Sequence, residues 1–280
     1  MIAKKDNNHL VSRPRRKADS SVKGKPEGYR FVYQDNMYWG SCEPCTASVF
    51  STLVRNSLVN WKIGMRQAVR QAVKTGQPLD LFTRNSDFQK WCIKQQSRPR
   101  AGEKFAHLTT AAQLLQWVDM LKDSLPDFIF AVSEFGLVPR LDKDGNPRKD
   151  AEGNPILYRR RMQENILHLS GLFWSDFDHL PFDPCELYEK TKAPGYPWNT
   201  CLAHLTSSGE GLRLVSECII GAGNIADQIY LQAKELGMLN VKGTTGKWVC
   251  DNSIINADKL SFCPRLEDIL FIDEDKLFHY

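Results

Sequence analysis

Two aspartates separated by one residue close an apolar run in the middle of the chain. The run is Leu169-Ser-Gly-Leu-Phe-Trp-Ser-Asp-Phe-Asp-His-Leu-Pro181, and its acidic residues are Asp176 and Asp178. If the run is a strand, both side chains project from the same face, with Cα atoms roughly 6.5–7 Å apart. Carboxylates at that spacing, at the rim of a core, can converge on a hard divalent cation. The pair could equally begin a turn, because the following His-Leu-Pro is turn-like.

A glycine-containing stretch lies about thirty residues further on. It reads Thr206-Ser-Ser-Gly-Glu-Gly-Leu-Arg-Leu-Val-Ser-Glu-Cys218, and its last part alternates like a strand. The glycines allow a sharp turn that presents backbone N–H groups, and Arg213 beside such a turn would complete a cradle for a triphosphate. An ordinary glycine-containing hairpin has the same pattern. A third acidic residue, Asp251, ends the short apolar stretch Trp248-Val-Cys-Asp.

Two further clusters have a chemical and a structural interpretation each. Arg159, Arg160 and Arg161 precede the acidic strand, where they could form a phosphate-binding rail or could protect an exposed edge strand by charge. Cys42 and Cys45 form a CxxC that could be half of a zinc site, for which Cys92 or His107 would have to be recruited at long range. Most of the eight cysteines have the sequence context of buried thiols.

The elements that must position these residues follow from hydrophobic periodicity. Spacings of three and four predict helices between Thr46 and Gln71, and another helix over Ala222–Leu236. Alternation predicts a strand over Phe128–Phe135. Two similar turns, at Asp142 and at Asp150, then predict a hairpin excursion on the surface.

Composition divides the chain into three predicted parts: a disordered basic leader over 1–28, a mostly helical region over 29–110, and a core over 111–280. The leader has eight Lys or Arg and three acidic residues, a net charge of +5, whereas the whole chain carries +4. A polar, cationic leader can attract phosphate by counterion release, or can be a solvated tail. Neither a secretory signal nor a membrane span is evident, so we expect no membrane association and a cytoplasmic location.

The order of these motifs resembles the catalytic core of archaeo-eukaryotic primase-polymerases, and most of all the VirE N-terminal type of bacterial mobile elements and phages. The likeness covers roughly 114–280. It rests on the following segments: Leu125-Pro-Asp-Phe-Ile-Phe130, the arginine-bearing strand, the acidic strand from His168, Ser208-Gly-Glu-Gly-Leu-Arg213, Asp251, and Asp258-Lys-Leu-Ser-Phe-Cys-Pro264.

The resemblance implies a fold and a set of residue roles. The expected fold class is α+β, with an RRM-like core of mixed or antiparallel sheet and flanking helices, plus a helical N-terminal region. Asp176, Asp178 and Asp251 would bind catalytic Mg²⁺ or Mn²⁺. The nucleotide would contact Ser208, Gly209, Gly211, Arg213 and Lys259. Many family members have histidine where this chain has Arg213, and the VirE-like branch often has arginine where this chain has Lys259.

The function implied is template-dependent nucleotidyl transfer, as a DNA primase or polymerase in the replication of a mobile element or phage. Its partners would be nucleoside triphosphates, a single-stranded DNA template or primer-template, and a separate helicase. Two alternatives remain open: a catalytically inactive nucleic-acid-binding accessory of replication or defence, and a metal-dependent nuclease. A nuclease would need a nucleophilic Tyr or a His cluster near the metal. Only His168 and His179 flank the acidic strand, and we expect structural roles for both.

Overall fold

Two four-stranded antiparallel sheets form the framework of the protein. The computed structural model describes residues 28–37, 40–79, 82, 90, 111–250 and 256–279. Its strands are β1 (Tyr29–Gln34), β2 (Glu43–Thr46), β3 (Asp127–Ile129), β4 (Val132–Phe135), β5 (Leu137–Pro139), β6 (Leu157–Arg159), β7 (Ile166–Leu169), β8 (Leu172–Phe177), β9 (Thr200–Leu205), β10 (Leu212–Glu217), β11 (Ser261–Phe262) and β12 (Ile269–Ile272). Its helices are α1 (Ala47–Val54), α2 (Ser57–Thr75), α3 (Ala111–Lys122), α4 (Pro184–Lys190), α5 (Ile225–Glu235) and α6 (Glu274–Phe278).

The central sheet has the strand order β12-β9-β10-β8 and contains the predicted acidic strand. Alternation along β8 gives it two different faces. On one face, Ser175 donates a hydrogen bond of 2.6 Å to Gln232 of α5, and Gln232 donates one of 3.0 Å to Ser216 of β10. Helix α5 therefore covers this face. The opposite face carries Asp176.

The second sheet, in the order β11-β3-β1-β2, joins distant parts of the chain. Strand β1 pairs with β3, and β3 pairs with β11. Phe128 of β3 stacks on Phe50 of α1 at 5.1 Å between ring centroids, and meets Phe31 of β1 edge-on at 5.8 Å. Residues on both sides of the predicted boundary at 111 thus share one sheet and one core.

An exposed arm, residues 137–159, contains the two predicted turns. In each turn the aspartate side chain accepts hydrogen bonds from backbone N–H groups two and four residues on, at 2.8–3.1 Å. Gly145 and Gly153 have φ of +84° and +88°, which explains why each turn has glycine there. The predicted hairpin excursion is confirmed.

The α+β class is confirmed, and every strand pair in the described residues is antiparallel, so no mixed sheet is seen there. The predicted strand Phe128–Phe135 is wrong as one element, because a break at Phe130 and Ala131 divides it into β3 and β4. Residues 1–27 of the predicted leader lie outside the described residues. Among the helices that the structure describes, none has both the length and the apolar character needed to cross a bilayer.

Candidate functional site

A cavity of about 430 Å³, here called the central cavity, lies at the Asp176 end of the central sheet. It is lined by residues from five separate segments of the chain. The predicted site residues that line it are Asp176, Asp178, Ser208, Arg213 and Lys259. The acidic strand and the glycine turn were expected to act together, and the structure places them around one space.

Asp176 and Asp178 both line the central cavity, as strand alternation predicts. Asp176 lies within β8 and is 5% exposed. Asp178 directly follows the strand, and its backbone N–H donates to the carbonyl of Val249 at 2.9 Å. The turn interpretation of this Asp-x-Asp is wrong for Asp176, which belongs to the buried strand.

Arg213 holds Asp176 in a buried ion pair. The two residues face each other in the register of β8 and β10, and Nη2 of Arg213 donates to Oδ2 of Asp176 at 2.5 Å. Arg213 also donates to Ser261 at 3.1 Å, and its guanidinium lies 4.4 Å from the ring centroid of Trp174. With Arg213 only 5% exposed, its first structural role is to fix and neutralise the Asp176 carboxylate.

His204 continues this row on the next strand, where it faces Arg213 across β9 and β10. Its Nδ1 lies 2.7 Å from the carbonyl oxygen of Leu205, which can only accept, so Nδ1 carries the proton. Burial, helped by the charge of Arg213, lowers the pKa of His204 to about 3. The row therefore contains one ion pair and one neutral imidazole. The sequence analysis missed His204, because only strand register brings it here.

The glycine turn brings backbone close to the acidic strand. Thr206 N–H donates to the carbonyl of Gly211 at 2.9 Å and closes the turn, and Gly209 has φ of +76°. A Cβ on Gly211 would lie 2.5 Å from the carbonyl oxygen of Phe177, so only glycine fits this approach. Ser208 lines the cavity, whereas Gly209 and Gly211 shape the turn behind it.

Helices α2 and α3 complete the cavity with charged residues that the sequence analysis missed as site residues. Arg66 donates to Ser207 of the glycine turn at 2.8 Å, and Arg66 and Arg70 both pair with Asp119, at 3.1 and 2.7 Å. Burial, and then the charge of Arg70, lowers the pKa of Arg66. Burial opposes ionisation of Asp119, but the hydrogen bond from Arg70 and both arginine charges hold its pKa below the usual range. The i,i+4 spacing of these arginines was the available signal.

The charge that lines the central cavity favours an anion. Its acidic side chains are those of Asp119, Asp176 and Asp178, and its cationic ones are those of Arg66, Arg70, Lys122, Arg213 and Lys259. Cations outnumber carboxylates by two. Asp119 and Asp176 pair with Arg66, Arg70 and Arg213, which leaves Lys122 and Lys259 beside Asp178. The net positive charge of the lining suits the phosphates of a nucleotide.

Each of the two histidines beside the acidic strand lies near a carboxylate. His179, which has φ of +52°, also lines the cavity, and its Nδ1 lies 3.1 Å from Glu210. This hydrogen bond is the main cause that lowers the pKa of Glu210. His168 lies exposed on β7, 3.7 Å from Glu134. The hydrogen bond to Glu210 fits a structural role for His179, which also lines the cavity, whereas the exposed contact of His168 does not test its role.

The remaining predicted site residues lie elsewhere. Asp251 lies outside the described residues, although its neighbour Cys250 forms a β-bridge with Phe177 and so brings the chain to the end of β8. Arg160 and Arg161 line a second cavity, and Arg159 lies 3.7 Å from Glu43. In the described residues, the three arginines do not line the central cavity.

Cys42 and Cys45 are both buried and belong to different core clusters. Burial raises the pKa of Cys42 to about 12 and that of Cys45 well above its usual value, which disfavours the thiolates that zinc requires. His107 and Cys92 lie outside the described residues. The contacts of Cys42 and Cys45 are those of apolar core residues.

The central cavity can bind an anion beside two carboxylates. Its hydroxyls and carboxylates are oxygen donors of the kind that Mg²⁺ prefers. The part of the chain that the structure describes contains no group of three His, Cys, Asp or Glu side chains placed to hold a metal, and Asp251 lies outside that part. No protein-family model, curated protein or solved structure matches the chain. The chemistry of the cavity is therefore the basis for a function.

Proposed function

We propose that this protein is a template-dependent nucleotidyltransferase, a DNA primase-polymerase of the VirE N-terminal type with an RRM-like core. Its substrates are nucleoside triphosphates and a single-stranded DNA template or primer-template. The observation that carries the proposal is the meeting of Asp176, Asp178, Ser208, Arg213 and Lys259 in one cavity with excess positive charge. It would act in the cytoplasm, in the replication of a mobile element or phage, on template opened by a separate helicase.

The residues of the chain would act mainly by positioning and electrostatics. The triphosphate lies against the partly exposed Arg70, Lys122 and Lys259, which are less enclosed than Arg213. Ser207 and Ser208 offer hydroxyls on the same side. Such fixed cations stabilise the negative charge that develops on the leaving pyrophosphate, with little reorganisation.

The carboxylates fit a divalent cation. Asp176 and Asp178 project into the same cavity, and Asp251 follows a residue that reaches the end of the acidic strand. These three would hold Mg²⁺ or Mn²⁺, which when bound activates the attacking hydroxyl and neutralises the pyrophosphate. Arg213 keeps one Asp176 oxygen in a fixed position, so the carboxylate is oriented before a cation arrives.

One observation favours the second candidate, a nucleic-acid-binding accessory without turnover. The ion pair between Asp176 and Arg213 neutralises a carboxylate that metal catalysis needs. A protein that keeps the cavity only to bind nucleotide or nucleic acid would retain such a pair. This candidate predicts DNA binding without synthesis.

The test is incorporation of labelled dNTPs and NTPs on a single-stranded template with Mg²⁺ or Mn²⁺, with and without a primer. Asp178→Asn should lower the rate on the order of 100-fold or more, and so should the double variant Asp176→Asn/Asp178→Asn once circular dichroism has verified that it is folded. The control Asp144→Asn removes one carboxylate from the exposed arm and should retain the native rate.

The other outcomes separate the candidates. A folded native protein that binds DNA and synthesises nothing would establish the accessory role. Metal-dependent shortening of the template, lost in the same double variant, would instead establish a nuclease.

A further inference from the structure

The second cavity, here called the arginine pocket, has a volume of about 580 Å³ and a different chemistry. Among the described residues that line it, none is acidic. Its cationic residues are Arg140, Arg148, Arg160 and Arg161. Arg140 lies over the ring of Tyr158 at 5.3 Å from the centroid. Four guanidiniums with a stacked aromatic ring are the groups that bind phosphate chains and bases of single strands.

The exposed arm holds the arginines of this pocket at fixed positions. Three backbone hydrogen bonds of 2.7–2.8 Å form a closed ring, in which Arg140 N–H donates to Ile156, Ile156 N–H to Arg148, and Arg148 N–H to Arg140. The first bond spans sixteen residues and the other two span eight each. Each link of eight residues contains one of the two turns, which end in Asp144-Gly-Asn-Pro147 and Glu152-Gly-Asn-Pro155. Because the ring fixes the backbone at Arg140 and Arg148, their side chains leave it from defined points.

The arginine pocket and the central cavity lie close together across the second sheet. Gln34 lines the first and Phe262 lines the second, and both pair with Asp127 of β3 from opposite sides. At about 4.8 Å per strand, the two residues are about 10 Å apart. Arg161 also donates to the carbonyl of Asp258 at 3.3 Å, and the next residue, Lys259, lines the central cavity.

We propose that the arginine pocket binds the phosphodiester chain of a single-stranded nucleic acid whose next nucleotides reach the central cavity. The ligand is polyanionic because four cations face no acidic residue among the described lining. It is a strand because the two cavities are close enough for a few nucleotides to contact both. The path to the central cavity rests on the proposed function, whereas the phosphate binding does not.

The test measures binding of a fluorescently labelled oligo-dT to the full chain by anisotropy, over a series of salt concentrations. Arg140→Ala/Arg148→Ala should weaken binding on the order of tenfold at low salt. If both arginines contact phosphate, the slope of log affinity against log salt should fall by about 1.4, at roughly 0.7 per contact on a single strand. Circular dichroism verifies folding.

The matched control is Lys143→Ala/Lys149→Ala. It removes two exposed positive charges from the same arm, at positions that do not line the pocket. An equal loss in both double variants would overturn the proposal, because a diffuse positive field would then explain binding. An unchanged affinity in Arg140→Ala/Arg148→Ala would overturn it as well.

Two further arms identify the ligand and separate this proposal from the proposed function. Binding of labelled dATP alone should be unchanged in Arg140→Ala/Arg148→Ala; a matching loss there would make the pocket a nucleotide site and overturn the proposal. Loss of oligonucleotide binding in the arginine variant, with no synthesis by the native chain, would leave the pocket established and the polymerase refuted.

Discussion

The central cavity and the arginine pocket are both cationic, but they hold their charge in different ways. In the central cavity, Arg213 and Arg66 are buried and paired with carboxylates. In the arginine pocket, Arg148 and Arg160 are exposed, on or beside an arm that packs little of itself into the core. The difference teaches that stability and binding are coupled in the first cavity and separable in the second. Removal of a buried, paired charge from the central cavity should therefore lower the stability of the fold, whereas removal of an exposed charge from the arginine pocket should weaken only ligand binding.

The largest expected effect comes from Arg213→Met. Removing one partner of a buried ion pair leaves the Asp176 carboxylate buried without its cation, which should lower the free energy of unfolding by about 3–5 kcal/mol. Urea unfolding followed by tryptophan fluorescence measures this. Arg148→Met, on the exposed arm, should change stability by no more than about 0.5 kcal/mol.

The double variant Arg213→Met/Asp176→Leu sharpens the test, because it removes both charges. It should regain much of the lost stability. Equal losses of unfolding free energy in Arg213→Met and Arg148→Met would contradict the contrast between the two cavities. The stability of the central cavity would then not depend on the ion pair of Arg213 and Asp176.

The comparison also explains which parts of the site could be predicted from sequence. Asp176 and Asp178 were correctly predicted to share one face, because strand alternation is a local rule. The turns that contain Gly145 and Gly153 were also predicted correctly, because a turn depends on residues that are neighbours in sequence. Arg66, Asp119 and His204 were missed as site residues, since their positions depend on how α2 packs against α3 and on the register of β9. These are contacts between residues far apart in the chain. The i,i+4 spacing of Arg66 and Arg70 indicates that both lie on one helix face, but not which element that face meets.

The three consecutive arginines, Arg159 to Arg161, show the same limit of sequence-based prediction. Charge at Arg159, Arg160 and Arg161 indicated phosphate binding or edge protection, and the sequence could not say which cavity they face. The structure divides them, with Arg159 at Glu43 and the other two in the arginine pocket. Arg140 and Arg148, which complete that pocket, are brought to it by the backbone ring of the arm.

Asp127 lies between the two cavities. Removal of its charge should raise the free energy of unfolding, whereas removal of the Arg213 charge should lower it. It is 0% exposed, and its carboxylate oxygens have no hydrogen-bond partner among the described residues. Burial raises its pKa well above the usual value, against the charges of Arg161 and Arg213. Because the folded pKa is raised, its contribution to stability is full at low pH and is lost as the pH rises.

Asp127→Asn should therefore stabilise the protein at pH 7.5, by roughly 1–3 kcal/mol, and should have little effect near pH 3.5. Urea unfolding at the two pH values gives the difference. Asp144→Asn, an exposed aspartate on the arm, is the matched control and should change stability at neither pH by more than about 0.5 kcal/mol. If Asp127→Asn were instead less stable than the native chain at pH 7.5, the native carboxylate would be ionised and stabilised by a neighbouring charge.

The smallest expected effect comes from His204. It tests whether solvent is excluded from the row formed by Asp176, Arg213 and His204 on neighbouring strands. Since burial lowers its pKa to about 3, the folded state keeps it neutral, whereas the unfolded chain binds a proton near pH 6.5. Its stabilising contribution is thus full above pH 6.5 and is lost as the pH falls. Between pH 7.5 and 5.5 the loss is about 1.4 kcal/mol.

His204→Asn keeps a donor for the carbonyl of Leu205 but cannot titrate. The native chain should lose about 1.4 kcal/mol more than this variant when the pH is lowered from 7.5 to 5.5, as measured by urea unfolding at each pH. An NMR titration that found His204 protonated at pH 5.5 would contradict the expected result. Solvent would then reach the row, and the pair of Asp176 and Arg213 would be screened like the arginines of the exposed arm.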